Sequence, residues 1–137
     1  MKKSTIAIII GSVLVLIIAM AVWLIVVNLS KQNNEPVANP NTVDMTNSKD
    51  VQVVIRDLSY TPSAIRIKKG TKVTWVNEDN VGHNVVADDA PDTGGLPKTA
   101  PLMGRSQSQS VTFTRVGTFN YHCTPHAFMR GSVQVVD

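Results

Sequence analysis

One short stretch of the sequence places several side chains with metal-binding chemistry close together. Cys123, His126 and Met129 follow one another at three-residue spacings. A further imidazole, His83, lies well upstream. Two imidazoles and one thiolate in a plane, with a weaker thioether on the axis, form the ligand set of a mononuclear blue-copper electron-transfer site. The sequence therefore predicts one copper ion held by these four residues.

This mixed ligand set suits copper in both of its oxidation states. Cu(I) prefers soft sulfur ligands, whereas Cu(II) prefers nitrogen ligands. A plane of two imidazoles and one thiolate is a compromise between the two preferences, so little has to move when an electron arrives. The predicted activity is the transfer of single electrons, and we expect that the protein is not an enzyme.

Each of these residues also has a structural interpretation. A single cysteine is often only a small buried hydrophobic residue, and Met129 suits an ordinary core position. Met103 is an alternative axial ligand, but the short offset of Met129 from His126 favours Met129, and we expect Met103 to cover apolar surface. His122 precedes Cys123 on a predicted strand, where successive side chains point to opposite faces. We therefore expect a structural role for His122.

Two motifs carry a resemblance to a known family. The loop reads C-T-P-H-A-F-M-R-G, and the upstream segment reads W-V-N-E-D-N-V-G-H-N-V. Together they resemble the plastocyanin/amicyanin branch of the cupredoxins over roughly residues 51–137. The short ligand loop is similar to that of amicyanins, although this chain has Ala127 where amicyanins usually have proline.

The resemblance implies more than the ligand set. The implied fold is a Greek-key cupredoxin β-sandwich, and the implied cofactor is one type 1 copper ion. Asn84 would steady the site by hydrogen bonding near the loop that carries Cys123. Redox partner proteins would dock near His126, which is flanked by the apolar residues Pro125, Ala127 and Phe128.

The strand pattern independently predicts an all-β domain. Predicted strands cover residues 51–56, 64–68, 71–77, 83–87, 110–115, 118–122 and 132–136. Residues 64–68 and 71–77 alternate between apolar and polar side chains, as half-buried strands do. Short strands at this spacing, without a helical period, indicate an all-β sandwich. Residues 88–104, rich in Pro, Gly and Asp, are predicted to be a loop.

The N-terminal segment has the composition of a membrane anchor. Two lysines precede a nearly continuous apolar stretch from Ile6 to Val27. About 20 apolar residues cross a bilayer as one helix, and the positive-inside rule keeps the amino terminus in the cytoplasm. We therefore predict an uncleaved transmembrane helix over residues 1–30, which places the rest of the chain outside the cytoplasm. The alternative is a cleaved signal sequence with an A-x-A site at residues 19–21, but the apolar run continues beyond that site.

The remaining chain divides into a linker and one domain. Residues 31–50 are polar and rich in Asn, and they contain two prolines, so they are predicted to be a flexible linker. Residues 51–137 form the predicted cupredoxin domain, close to the size at which a single core becomes marginal. The chain has 1 Cys and hence no internal disulfide, which leaves the thiol free for a metal.

Charge and motif content narrow the function further. The net charge is +3, and the basic residues are spread along strands without a cluster suited to phosphate. We therefore expect no nucleic acid partner, and we expect a monomer. Copper delivery or buffering remains the alternative function, and the ligand set disfavours a metal-free adhesion-like sandwich. A dinuclear copper centre is excluded because it needs two bridging cysteines.

Overall fold

The computed structural model describes residues 16–27 and 40–137, which belong to two compact units. In the N-terminal unit, residues 16–27 form an α-helix whose apolar side chains are exposed. Within the two described ranges, no helix is both long enough and apolar enough to cross a membrane. The first part of the predicted membrane anchor, from Ile6, lies outside the described residues, as do residues 31–39 of the predicted linker.

The second unit is a sandwich of two β-sheets, as the strand pattern predicted. Its strands are β1 (Val43–Asp44), β2 (Asp50–Arg56), β3 (Ser59–Thr61), β4 (Ala64–Lys68), β5 (Lys72–Asn77), β6 (Val86–Ala87), β7 (Ser108–Thr112), β8 (Gly117–His122) and β9 (Arg130–Val136). One sheet has the order β1-β4-β9-β8-β6, and the other has the order β3-β2-β5-β7. Pairing is mixed: β2 is parallel to β5 and β4 is parallel to β9, whereas β8 is antiparallel to β9.

The core lies between the two sheets and follows from alternation along the strands. In β5, Val73 and Trp75 are fully buried while Lys72 is exposed, because successive side chains point to opposite faces. The same pattern in the neighbouring strands adds buried aliphatic residues, namely Val53, Ile55, Ile65, Ile67, Val133 and Val135. Burying each such side chain contributes about 1.5–3 kcal/mol to folding.

Strand directions bring two distant parts of the sequence to one end of the sandwich. β8 ends at His122 and β9 begins at Arg130, so the loop of residues 123–129 closes one end of that sheet. β6 runs antiparallel to β8 with Val86 opposite His122, so the residues just before β6 lie at the same end. The segment around His83 is thereby placed beside the ligand loop.

The folded unit begins earlier in the chain than residue 51. β1 pairs with β4, and the side chain of Met45 packs against the core. Residues 43–50, which were predicted to be linker, therefore belong to the sandwich. The predicted strand over residues 83–87 is also shorter in the structure, since only Val86 and Ala87 are in a strand and His83 forms an isolated bridge with Met103.

Candidate metal centre

Three of the four predicted ligand residues come together at this end of the sandwich. The Sγ atom of Cys123 lies 3.6 Å from Nδ1 of His83 and 3.6 Å from Nδ1 of His126. The three donor atoms all lie within 4.8 Å of one another. Cys123 and His83 are fully buried, and His126 is half-buried. Two imidazole nitrogens and one softer thiol sulfur therefore share a small space that is largely closed to water.

These separations fit a metal ion. A metal–sulfur bond of about 2.3 Å and a metal–nitrogen bond of about 2.0 Å that meet at about 120° place the two donor atoms about 3.7 Å apart. The observed sulfur–nitrogen distances of 3.6 Å agree with that value. A thiolate with two imidazoles is the trigonal donor set of a blue-copper site. The residues present therefore fit copper.

Met129 closes the loop that carries two of the donors. Its carbonyl accepts a hydrogen bond from the Cys123 amide at 3.2 Å, and its amide donates to the His126 carbonyl at 2.8 Å. The His126 amide in turn donates to the Cys123 carbonyl at 3.2 Å. The Met129 side chain is buried in the core cluster. Its role as the axial ligand remains a prediction.

Met103 supports the backbone of the remote ligand. The amide of His83 donates to the Met103 carbonyl at 3.2 Å, and the Met103 amide donates back to the His83 carbonyl. Buried Asn77 donates from Nδ2 to the same Met103 carbonyl at 2.8 Å. The expectation that Met103 is apolar cover at the surface was wrong, because this bridge holds Met103 in the core, where the residue is 5% exposed. The His83–Met103 bridge joins two loops, so the pattern of apolar and polar residues within either loop does not predict it.

Asp79 holds the side chain of the same ligand. Its Oδ2 lies 3.0 Å from Nε2 of His83. An ionised carboxylate only accepts hydrogen bonds, so Nε2 carries the proton and the lone pair of Nδ1 faces the thiol of Cys123. Burial by itself would raise the pKa of Asp79, but the amides of Leu58 and Asp57 and the His83 ring hold that pKa below its ordinary value.

Asp79 is part of the upstream motif, but sequence reasoning assigned it no role. It precedes His83 by four residues, but this spacing has a fixed geometry only within a helix. In a loop the same spacing indicates nothing, so the contact is visible only in the structure.

Asn84 joins the two ligand-bearing segments. Its Oδ1 accepts a hydrogen bond from the Thr124 amide at 2.8 Å, and its Nδ2 donates to Thr124 Oγ1 at 3.1 Å and to the Ala100 carbonyl at 2.9 Å. This is the bracing that the resemblance implied. Tyr60, which the sequence did not single out, donates its hydroxyl to the Asn84 carbonyl at 2.7 Å. Burial, reinforced by the nearby Cys123, raises the pKa of Tyr60 and keeps this donor protonated.

His122 is directed elsewhere, as strand alternation predicted. Its Nδ1 lies 2.7 Å from Oδ1 of Asp88, and Arg130 donates to both oxygens of that carboxylate at 3.2 and 3.1 Å. The ring therefore helps to hold Asp88, the residue after β6, against the end of β8, and Arg130 holds Asp88 against the start of β9. A structural role accounts for these contacts.

The surface above the site is apolar. Phe128 is 70% exposed, and its ring centre lies 6.1 Å from that of His126. Leu102 and Val81 are also about half exposed. Leu102 packs closely against Gly82: a Cβ atom added to Gly82 would lie 3.2 Å from the Cβ atom of Leu102. We call Val81, Leu102 and Phe128 the apolar rim.

Comparison with known proteins assigns the family. Residues 47–136 match the copper binding proteins of the plastocyanin/azurin family. The chain belongs to this family. The resemblance that the two motifs carried is thus confirmed, and the donor set found at the end of the sandwich is the one expected of a member that binds one copper ion.

Individual relatives agree with the family assignment. The chain is 41% identical over 85 residues to amicyanin of Paracoccus denitrificans. The aligned region covers 62% of this chain and 64% of that amicyanin. This chain therefore spans just under two thirds of that amicyanin. It is 36% identical over 85 residues to plastocyanin of Scenedesmus fuscus, covering 57% of this chain and 87% of the plastocyanin.

Solved structures give the same picture. A methionine-to-alanine mutant of amicyanin in its Cu(I) form has a TM-score of 0.56 to this chain at 39% identity. The match covers 65% of this chain and 84% of the amicyanin. The cupredoxin sandwich is therefore the fold of the second unit.

Proposed function

We propose that this protein is a type 1 copper protein that carries single electrons between redox partners outside the cytoplasm. The observation that supports the proposal best is the convergence of one thiol and two imidazole nitrogens in a buried pocket beneath an apolar surface. Copper bound there supplies a reversible one-electron couple between Cu(I) and Cu(II). His83, Cys123 and His126 would be the strong ligands, with Met129 as the weak axial ligand.

The surroundings of the pocket suit a site that changes little on redox cycling. Asp79 fixes the ring of His83, and Asn84 joins the segment of His83 to the loop that carries Cys123. Both buried donors are therefore held in place by protein contacts before a metal binds. His126, in contrast, is half-buried beside Phe128. Its ring is the proposed route for electrons between the metal and a partner docked on the apolar rim.

Copper delivery or buffering is the alternative function, and retention of the metal distinguishes it from electron transfer. We expect the copper-loaded protein to survive repeated reduction by ascorbate and reoxidation by ferricyanide with its full copper content, because its ligands are braced for both oxidation states. Copper content would be measured after each cycle in the presence of a Cu(I) chelator. Loss of the metal to the chelator after the first reduction would favour delivery.

We propose in addition that residues 1–30 anchor the protein in a membrane and that a linker separates this anchor from the copper domain. The nearly continuous apolar run from Ile6 to Val27 supports this arrangement. Exposure of the apolar side chains from Leu16 to Val26 in the helix of residues 16–27 is a second argument. A helix that is hydrophobic all round needs an apolar environment.

The anchor has a direct experimental consequence. We expect the protein to fractionate with membranes, to resist extraction by high salt and to retain its own amino terminus, since an integral helix is not held by charge. Fractionation with salt and detergent washes, followed by amino-terminal sequencing, would measure this. A soluble mature chain that begins at Val22 would contradict the anchor and favour the cleaved signal sequence.

A further inference from the structure

The carboxylate of Asp79 accepts hydrogen bonds from two different parts of the protein. Its Oδ1 accepts from the amide of Asp57 at 2.8 Å, and its Oδ2 accepts from the amide of Leu58 at 3.0 Å. The same Oδ2 accepts from Nε2 of His83 at 3.0 Å. The Asp79 side chain is only 14% exposed. One nearly buried group therefore joins a surface turn to a side chain of the metal centre.

The turn that Asp79 holds has an unusual backbone for its sequence. Asp57 and Leu58 form the two-residue connection between β2 and β3, and their φ angles are 53° and 55°. Both residues are thus left-handed, as a tight turn of this type requires, but such turns favour Asn-Gly or Asp-Gly. A leucine with positive φ is uncommon. The two amide hydrogen bonds to Asp79 offset the cost of this conformation.

The His83 end of the link determines which ring nitrogen is available to a metal. A carboxylate that accepts from Nε2–H fixes the tautomer and the ring orientation, and it makes the opposite nitrogen a stronger donor. That nitrogen, Nδ1, is the atom that faces Cys123. A stronger nitrogen donor stabilises Cu(II) more than Cu(I), because Cu(II) has the greater preference for nitrogen.

We propose that Asp79 is a positioning residue that couples the Asp57–Leu58 turn to His83 and thereby lowers the reduction potential of the copper site. The copper part of this inference rests on the proposed function. The coupling between the turn and the ring does not, because all of its hydrogen bonds exist without a metal.

The test is the variant Asp79→Asn, with Glu78→Gln as its matched control. Each variant removes one negative charge, but Glu78 pairs with the exposed Arg56 and does not contact His83. Asparagine keeps one acceptor oxygen and has an NH2 donor in place of the other, so it cannot accept all three hydrogen bonds of the carboxylate, and it carries no negative charge. Copper affinity and midpoint potential of the holoprotein are measured, together with nitrogen NMR of the His83 ring and amide hydrogen exchange in the apoprotein.

For Asp79→Asn we expect Cu(II) affinity to fall about 10–100-fold, with a smaller loss for Cu(I). A tenfold difference between the two losses raises the midpoint potential by about 59 mV. In the apoprotein, the His83 ring is expected to lose its uniform Nε2–H tautomer, and the Leu58 amide is expected to exchange faster. Glu78→Gln should change none of these.

Two results would overturn the inference. One is an Asp79→Asn protein whose tautomer and potential match those of Glu78→Gln. The other is faster exchange at the turn with an unchanged His83 tautomer and an unchanged potential, because Asp79 would then be only a structural residue of the turn. If the wild-type protein binds no copper, the proposed function fails, while the tautomer and exchange measurements still decide the coupling.

A second pair of variants covers the case in which Asp79→Asn alone does not fold. Leu58→Gly places glycine at a left-handed position, where it needs no support from the carboxylate. Asp79→Asn in the Leu58→Gly background is then compared with Leu58→Gly alone. The tautomer change and the rise in potential are still expected, and their absence would overturn the inference.

Discussion

Replacing Cys123 with serine is expected to abolish the blue colour of the Cu(II) protein completely. The colour of a type 1 site comes from charge transfer between a thiolate and Cu(II), and a serine hydroxyl does not supply it. Cys123 is the single cysteine of the chain, so no other thiolate can replace it. Visible absorption of the Cu(II)-loaded wild-type and Cys123→Ser proteins would measure the effect.

The matched control for this prediction is Met129→Gln. Because the axial ligand of a blue-copper site is weak and long, we expect this variant to keep a modified blue site. A wild-type protein that binds Cu(II) without colour would contradict the proposed electron-transfer function. A coloured Cys123→Ser protein would show that another residue supplies the charge-transfer band.

The closeness of Cys123 and His126 was predictable because the sequence information for it is local. Cys123, His126 and Met129 lie within seven consecutive positions of the chain, and a metal restricts which residue types occur at such spacings. Alternation was equally informative for β4, whose bounds of residues 64–68 were predicted correctly. In both cases the pattern and its physical cause are contained in one short segment.

Contacts between distant segments were not predictable in this way. The strand β1 consists of two exposed residues, so it has no hydrophobic alternation, and only its pairing with β4 identifies it. The strand β3 follows a turn without Gly or Asn, so the usual hairpin signal is missing. The hydrogen bonds of Asp79 and of Tyr60 also join residues from separate loops and strands. Such contacts depend on the assembled fold.

The three donor residues differ in burial, and this difference suggests different roles for them. His83 and Cys123 lie inside the sandwich and are braced by residues of other segments, whereas His126 reaches the surface. A buried, rigid pair would keep the geometry of a bound copper ion constant between its two oxidation states. The half-buried imidazole is the group that a partner can approach. The residues around that imidazole should therefore control electron exchange without changing the metal.

Replacing Phe128 with aspartate is expected to slow electron self-exchange between oxidised and reduced copies at least about tenfold at low ionic strength. Two copies that meet through their apolar rims would bring like charges together, and such a juxtaposition costs several kcal/mol. Each 1.4 kcal/mol corresponds to about a factor of ten. Phe128 is 70% exposed, so the substitution leaves the core and the visible spectrum unchanged. The rate would be measured from the broadening of NMR lines in mixtures of the two oxidation states.

Val116→Asp provides the control for the same charge change elsewhere. Val116 is 51% exposed and precedes β8, at the opposite end of that strand from Cys123. The Val116→Asp protein should exchange electrons at nearly the wild-type rate, because two copies of it would still meet through uncharged apolar rims. Added salt should partly restore the rate of Phe128→Asp, since exposed charges are screened over about 10 Å at 0.1 M ionic strength. Equal rates for Phe128→Asp and Val116→Asp would mean that electrons leave the protein by a route other than the rim around His126.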